Sequence, residues 1–299
     1  MKTFSVSEVN LYLKSISDNG YSHHTVRSYA GSIEKLVNHF GIENLGDFSK
    51  ITKVAFLMFV NEMQIDPNSK KTFLRNIRAF GTWLNDVCGI NLKDAFDVRF
   101  GKSKFPEVKK KIRPVLSIDE IRKVIAAGRD IQERLMLAME FHTMMRRAEI
   151  ASIEIRNIEG CKIKFVGKGG NERYTLLTDE LCLMLREYLE VRDTDSPYLF
   201  YGTRGTGKNK IVDGVWKPIS GESINNRVRS AAKRAGIDPV KAEKFTSHRV
   251  RATGITVSNR MRSPIVTQKL VGHSDIKTTM GYDGNTMDMV AENLKTSLW

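Results

Sequence analysis

Apolar residues recur at helical spacing through most of the chain, and breaks in that rhythm divide it into elements. Val9, Leu13 and Ile16 mark the inner side of a first helix that Ser7 can cap and that ends near Asn19 and Gly20. Ser22 opens a second, on which Val26, Tyr29, Ile33, Leu36 and Phe40 share a face until Gly41 stops the run. A third covers residues 52–63, with a turn at Asp66, Pro67 and Asn68. The fourth covers residues 69–88 and carries Phe73, Ile77, Phe80 and Leu84 inward. After Leu92 the rhythm lapses until Ser117 and Glu120, spaced as a capping box ahead of Ile121, Val124 and Ile125. A longer helix follows over residues 130–143. The period then drops to two: residues 161–166 alternate Ile163 and Phe165 with Lys162 and Lys164. Residues 173–177 return as a second strand across the turn Gly167, Lys168, Gly169, Gly170. Helices resume over residues 178–191 and 220–235, the latter closed by Gly236. The predicted class is mainly α with a small β-sheet.

The fourth helix has a second pattern. Lys71, Arg75 and Arg78 fall almost opposite its apolar face, with no acidic residue among them. A solvated face is the ordinary fate of such charges, but salt-bridged surface helices interleave the two signs. A stripe of one sign suits phosphate contacts beside a major groove wide enough to admit a helix. Arg27 on the second helix is a further candidate DNA contact. Residues 93–114 read as a linker, with Gly101, Pro106 and the basic run Lys109, Lys110, Lys111. At the far end Met287, Val290, Leu294 and Leu298 line one side of a tail helix that Asn285 can cap, a stripe that must pack somewhere and most commonly docks on its own domain.

Charge and length narrow the function classes. A chain of 299 residues is long enough for two self-sufficient cores, and a net charge of +14 favours a polyanionic partner. No run approaches the roughly 18 apolar residues of a membrane span, and residues 1–7 lack the layout of a signal peptide, so a soluble cytoplasmic protein is expected. Cys88, Cys161 and Cys182 are odd in number and far apart, which predicts reduced thiols packed as small hydrophobes. No His or Cys pair has zinc-ligand spacing, so no metal is expected. Gly202, Gly207 and Lys208 imitate phosphate-loop spacing, but Asn209 stands where a magnesium-binding hydroxyl is needed and residues 212–218 do not continue as a helix.

The stretch 246–282 carries the candidate chemistry. His248 and Arg251 stand one helical turn apart, Ser263 and Pro264 open another short helix, Gly272 can close it, and His273 follows. Tyr282 lies just before the flexible Asp283 and Gly284. Upstream, Arg146 precedes Glu149 by three residues, and Lys168 occupies the glycine-rich hairpin tip. A lone H-x-x-R pair or a lone tyrosine means little, but in this order and spacing the set resembles the tyrosine recombinases, the family of phage integrases and Xer-type resolvases. Two positions depart from the family pattern: Thr143-Met144-Met145-Arg146 replaces the usual T-G-L-R, and Ala252 stands where a histidine is usual.

The resemblance covers nearly the whole chain and implies an N-terminal four-helix core-binding (SAM-like) domain over residues 1–92 and an α+β catalytic domain over residues 115–284, followed by the tail 285–299, which such recombinases commonly donate to a neighbouring subunit. It implies site-specific recombination of double-stranded DNA with paired half-sites, through a phosphotyrosyl link and a Holliday junction in a tetramer, without cofactor. Tyr282 would be the nucleophile, Arg146 and Arg251 the phosphate clamps, Lys168 the acid, His248 the base and His273 an orienting group. The alternatives are a relaxing topoisomerase with the same chemistry, a DNA-binding protein with a degenerate site and, at a distance, a phosphate-loop ATPase.

Overall fold

The computed structural model describes residues 3–100, 103, 106, 115–167, 172–202, 211–212, 214–262 and 264–271. The chain divides near residue 111 into two compact units.

The first unit packs α1 (Ser7–Asp18), α2 (His23–Phe40), a 3-10 turn (Leu45–Lys50), α3 (Lys53–Glu62), α4 (Pro67–Cys88) and the short α5 (Lys93–Phe96). Its caps follow from sequence. Ser22 accepts from the Thr25 amide, Thr52 from the Ala55 amide, and Asp66 from the Asn68 and Ser69 amides. Ser7 is instead the first helical residue, after Val6. The expected turn at Asp66, Pro67 and Asn68 is the start of α4, with Asp66 as cap and Pro67 in the first turn, where a missing N–H costs nothing.

Aromatic rings fill the centre: Phe48, Phe56 and Phe80 are fully buried, and Tyr12 lies against Phe80 at 5.1 Å between centroids. Asn76 is the buried polar residue of α4, and its amide donates to Ser28 and Ser32, tying α4 to α2. This core runs past residue 92. Phe96 and Val98 are each 1% exposed within it, and α5 lies inside the stretch expected to be linker. Phe96 enters because residue 81 is glycine: a Cβ there would sit 2.5 Å from the Phe96 ring.

The second unit contains α6 (Ile118–Ala126), α7 (Ile131–Thr143), α8 (Arg147–Ala151), a 3-10 turn (Ile155–Asn157), β1 (Ile158–Glu159), β2 (Lys162–Val166), β3 (Glu172–Leu176), α9 (Asp179–Val191), the ribbon β4 (Ile211–Val212) and β5 (Val215–Trp216), α10 (Gly221–Arg234), α11 (Pro239–Lys244), α12 (Ser247–Met261) and α13 (Pro264–Val271). Ser117 and Glu120 form the reciprocal capping box their spacing predicts. The sheet is antiparallel in the order β1, β2, β3, with Lys162 opposite Leu176 and Val166 opposite Glu172. Ile163 and Phe165 point into the core and their lysine neighbours outward, as the alternation requires. Residues 211–212 and 215–216 pair as a ribbon rather than a helix, so the phosphate-loop imitation lacks the helix that loop would need.

One cysteine expectation is overturned. Cys161 and Cys182 are joined in a disulfide, with Cα atoms 5.3 Å apart, and Cys88 alone is a free thiol. Cys161 immediately precedes β2 and Cys182 lies on the buried side of α9, so packing brings together residues whose sequence distance hides their proximity.

Candidate active site

The end of α7 builds the site. Met144 follows that helix with φ +52°, the left-handed conformation that favours glycine, and among the described residues no other non-glycine has positive φ. A glycine-favouring conformation is thus adopted by a methionine, at the position where the family pattern has glycine. Its side chain is 2% exposed and packs with Ile255 of α12 and Val271 of α13, contacts that offset the roughly 1 kcal/mol of conformational strain. The reversal at Met144 turns the chain so that Arg146 caps α8. There the Glu149 carboxylate accepts from the Arg146 backbone amide at 2.6 Å and from its guanidinium at 2.9 Å. Glu149 is buried and the Arg146 side chain is 36% exposed, so the carboxylate anchors the cation from beneath while leaving part of it accessible.

α12 brings the second cation to the same turn. Arg251 is 5% exposed and its guanidinium donates to the Met144 carbonyl, two residues before Arg146. The approach is close because Gly254 faces α7: a Cβ there would lie 2.3 Å from the Phe141 carbonyl oxygen. His248, one turn earlier on α12, is exposed. The shared helical face expected for these two residues is therefore split in environment, since Arg251 meets the end of α7 and His248 lies at the helix entrance. First-turn amides and the helix dipole favour an anion at such an entrance.

Below the entrance lies Glu140, which is fully buried in α7. The Ser247 hydroxyl donates to one of its oxygens and the other has no hydrogen-bond partner. Burial raises the Glu140 pKa to about 7, against opposing effects from the Ser247 hydrogen bond and the Arg147 charge. The Ser247 amide in turn donates to Asn225 of α10, so the residue before His248 is held from two elements. Sequence reading missed Glu140, although a single acid in the apolar run Leu135, Met136, Leu137, Ala138, Met139 is a visible signal of a buried carboxyl.

Of the other candidates, Lys168, His273 and Tyr282 lie outside the described residues, as do Lys109, Lys110, Lys111 and the tail. Arg27 on α2 and Arg75 on α4 are exposed, and Lys71 is half-buried. Arg78 departs from the expected stripe. Its guanidinium turns inward and donates to the carbonyls of Phe96 at 3.1 Å and Val98 at 2.8 Å, fixing the chain beyond α5. That partial burial lowers its pKa. Helical spacing placed Arg78 opposite the core, but a long side chain can fold back over its own helix to reach carbonyls that packing brings near. Among the described residues no cluster of histidine, cysteine, aspartate and glutamate could hold a metal ion, and no helix is long and apolar enough to cross a membrane.

Residues 114–288 match the profile of the phage integrase family, more than half of the chain. The chain belongs to the phage integrase family. It is a tyrosine recombinase in sequence and fold. It is 24% identical over 206 residues to the tyrosine recombinase XerA of Pyrococcus horikoshii, covering 68% of this chain and 67% of that protein. It is 23% identical over 280 residues to XerC of Herpetosiphon aurantiacus, covering 89% and 86%. Among solved structures, a lambda integrase tetramer bound to a Holliday junction superposes with a TM-score of 0.70 at 17% identity, over 94% of this chain and 78% of that one. The XerH recombinase bound to its difH substrate in a pre-cleavage complex superposes with a TM-score of 0.65 at 18% identity, over 99% and 85%.

Proposed function

We propose that this tyrosine recombinase cuts and rejoins DNA at specific sites through a covalent 3′-phosphotyrosyl intermediate. The observation that carries the reading is the bond from Arg251 to the Met144 carbonyl, which sets one buried guanidinium against the turn that bears the other. Two fixed cations with fork geometry suit the two non-bridging oxygens of a scissile phosphate, where negative charge grows as the reaction proceeds. The Tyr282 phenolic oxygen forms a bond to phosphorus as the bond to the 5′-oxygen breaks. His248 accepts the phenol proton, Lys168 gives a proton to the departing 5′-oxygen, and His273 orients the phosphate. The link retains the phosphodiester, so the 5′-hydroxyl of a second strand reverses the step without ATP or metal.

The wider assembly follows the same reading. The first unit binds one half-site through Arg27, Lys71 and Arg75, and the linker run Lys109, Lys110, Lys111 follows the DNA backbone. Exchange passes through a Holliday junction held by four copies, coupled by the tail over residues 285–299. A lambda integrase tetramer bound to a Holliday junction, similar in fold, supports the reading of four copies at a junction. The deciding experiment uses a nicked suicide duplex carrying the site, in excess chelator and without ATP. A denaturant-resistant protein–DNA adduct is expected, and Tyr282→Phe should abolish it with DNA binding intact. An adduct formed by the Phe variant sinks the assignment.

A further inference from the structure

Arg173 lies on β3, with its guanidinium 5.5 Å from the centre of the Phe165 ring. From there its terminal nitrogens reach the far end of the unit in sequence. Nη1 donates to the Val271 carbonyl at 3.2 Å and Nη2 to the Leu270 carbonyl at 3.3 Å. These two residues end α13. The last carbonyls of a helix have no intrahelical partner and carry the negative end of its dipole, so a cation with two parallel donors satisfies them doubly. A lysine has only a point charge to offer.

The position matters because of what adjoins each end in sequence. Gly272 and His273 follow Val271 directly, with Tyr282 beyond, and Lys168 lies just upstream of β3. The two partners are unequally held. β2 and β3 are fixed by their own ladder and by Ile163 and Phe165 in the main core. The end of α13 has a smaller anchorage, Val271 against Met144 and Ile255 in a cluster apart from that core.

We propose that Arg173 is a positioning residue for strand cleavage, capping α13 from the sheet and so fixing the point from which the chain runs on in sequence to His273 and Tyr282. Rigidity flows from sheet to helix, not the reverse. The proposal rests on the recombinase reading, and its test is built to fail separately.

The test compares wild type, Arg173→Ala, Arg173→Lys and Lys168→Ala on a suicide duplex and on the same duplex with a bridging sulfur in place of the scissile 5′-oxygen. A thiolate leaves without a proton, so sulfur should restore cleavage by Lys168→Ala. Arg173→Ala should lose roughly 10- to 100-fold on both substrates, the scale of losing charge-assisted hydrogen bonds, with half-site binding retained. Arg173→Lys, able to keep one bond, should fall between. In hydrogen exchange, residues 264–271 should lose protection in Arg173→Ala while residues 162–166 keep theirs. Rescue of Arg173→Ala by sulfur, wild-type cleavage, or unchanged exchange at the end of α13 overturns the proposal. If wild type forms no adduct, the recombinase reading fails, and the exchange comparison still decides whether Arg173 caps α13.

Discussion

Glu140 offers a perturbation whose sign and size can be worked out in advance. Its carboxyl is fully buried in α7, faces the Ser247 hydroxyl of α12, and feels Arg147 of α8 as its neighbouring charge. In the unfolded chain it loses its proton near 4.5, whereas burial holds the proton to about 7 in the folded protein. Below pH 4.5 both states are protonated and the group's contribution is fully present. Between those values only the folded state holds the proton, so stability falls as pH rises, by roughly 1.4 kcal/mol per pH unit. Across the window the loss is about 3 kcal/mol, and above pH 7 it levels off.

Glu140→Gln removes the titration and keeps an oxygen that can accept from Ser247. The new amide nitrogen falls where the second carboxyl oxygen has no partner. An unpaired buried donor costs about 1–3 kcal/mol, but that cost shifts the whole stability curve without tilting it. The informative quantity is therefore the difference between wild type and variant, from urea unfolding at intervals from pH 4.5 to pH 8, in which all shared titrations cancel. Wild type should lose about 3 kcal/mol relative to the variant over that range. Parallel curves would refute the reasoning, because they would mean that the buried carboxyl titrates alike in both states.

Arg75 and Arg78 should separate. Arg75→Ala should shallow the slope of log affinity against log salt by about 0.9, as for one lost phosphate contact, whereas Arg78→Ala should leave that slope alone and destabilise the first unit by about 1–3 kcal/mol in thermal melts. Equal salt slopes for both variants and wild type would return the whole stripe to solvated surface. Gly254→Ala should push α12 from α7, since its Cβ would meet the Phe141 carbonyl oxygen at 2.3 Å and backbone cannot give way. A stability loss of about 1–3 kcal/mol and a fall in adduct formation with half-site binding retained are expected; adduct formation at the wild-type rate would mean the α7–α12 junction does not set the cations.

What could be read from sequence was local. Ser22 and Ser117 open helices because a cap acts within three residues, and Ile163 and Phe165 declare a strand because its period is two. Local logic also fixed the spacing of Arg146 to Glu149 and of His248 to Arg251. It failed where the partner is distant. Arg78 looked like surface because Phe96 and Val98 were not known to be near, and Cys161 looked unpaired because Cys182 lies 21 residues away. The short α5 escaped notice because four residues display no period.

The site itself falls on both sides of that divide. Ser247 to Glu140 and Arg251 to the Met144 carbonyl both span 107 residues, so the two bonds stand a turn apart on α12 and four residues apart at the end of α7. That common offset is a register between two elements, and no motif within either one encodes it. It arises from packing: Gly254 permits the close approach, Met144 accepts a left-handed backbone to turn its carbonyl toward Arg251, and Ile255 and Val271 cover the methionine. Each motif supplies the chemical groups, and residues outside the motifs set the distance between them. Substitutions at Gly254 or Met144 should therefore act on catalysis as strongly as changes in the motifs, although neither residue bears a group that could touch a phosphate.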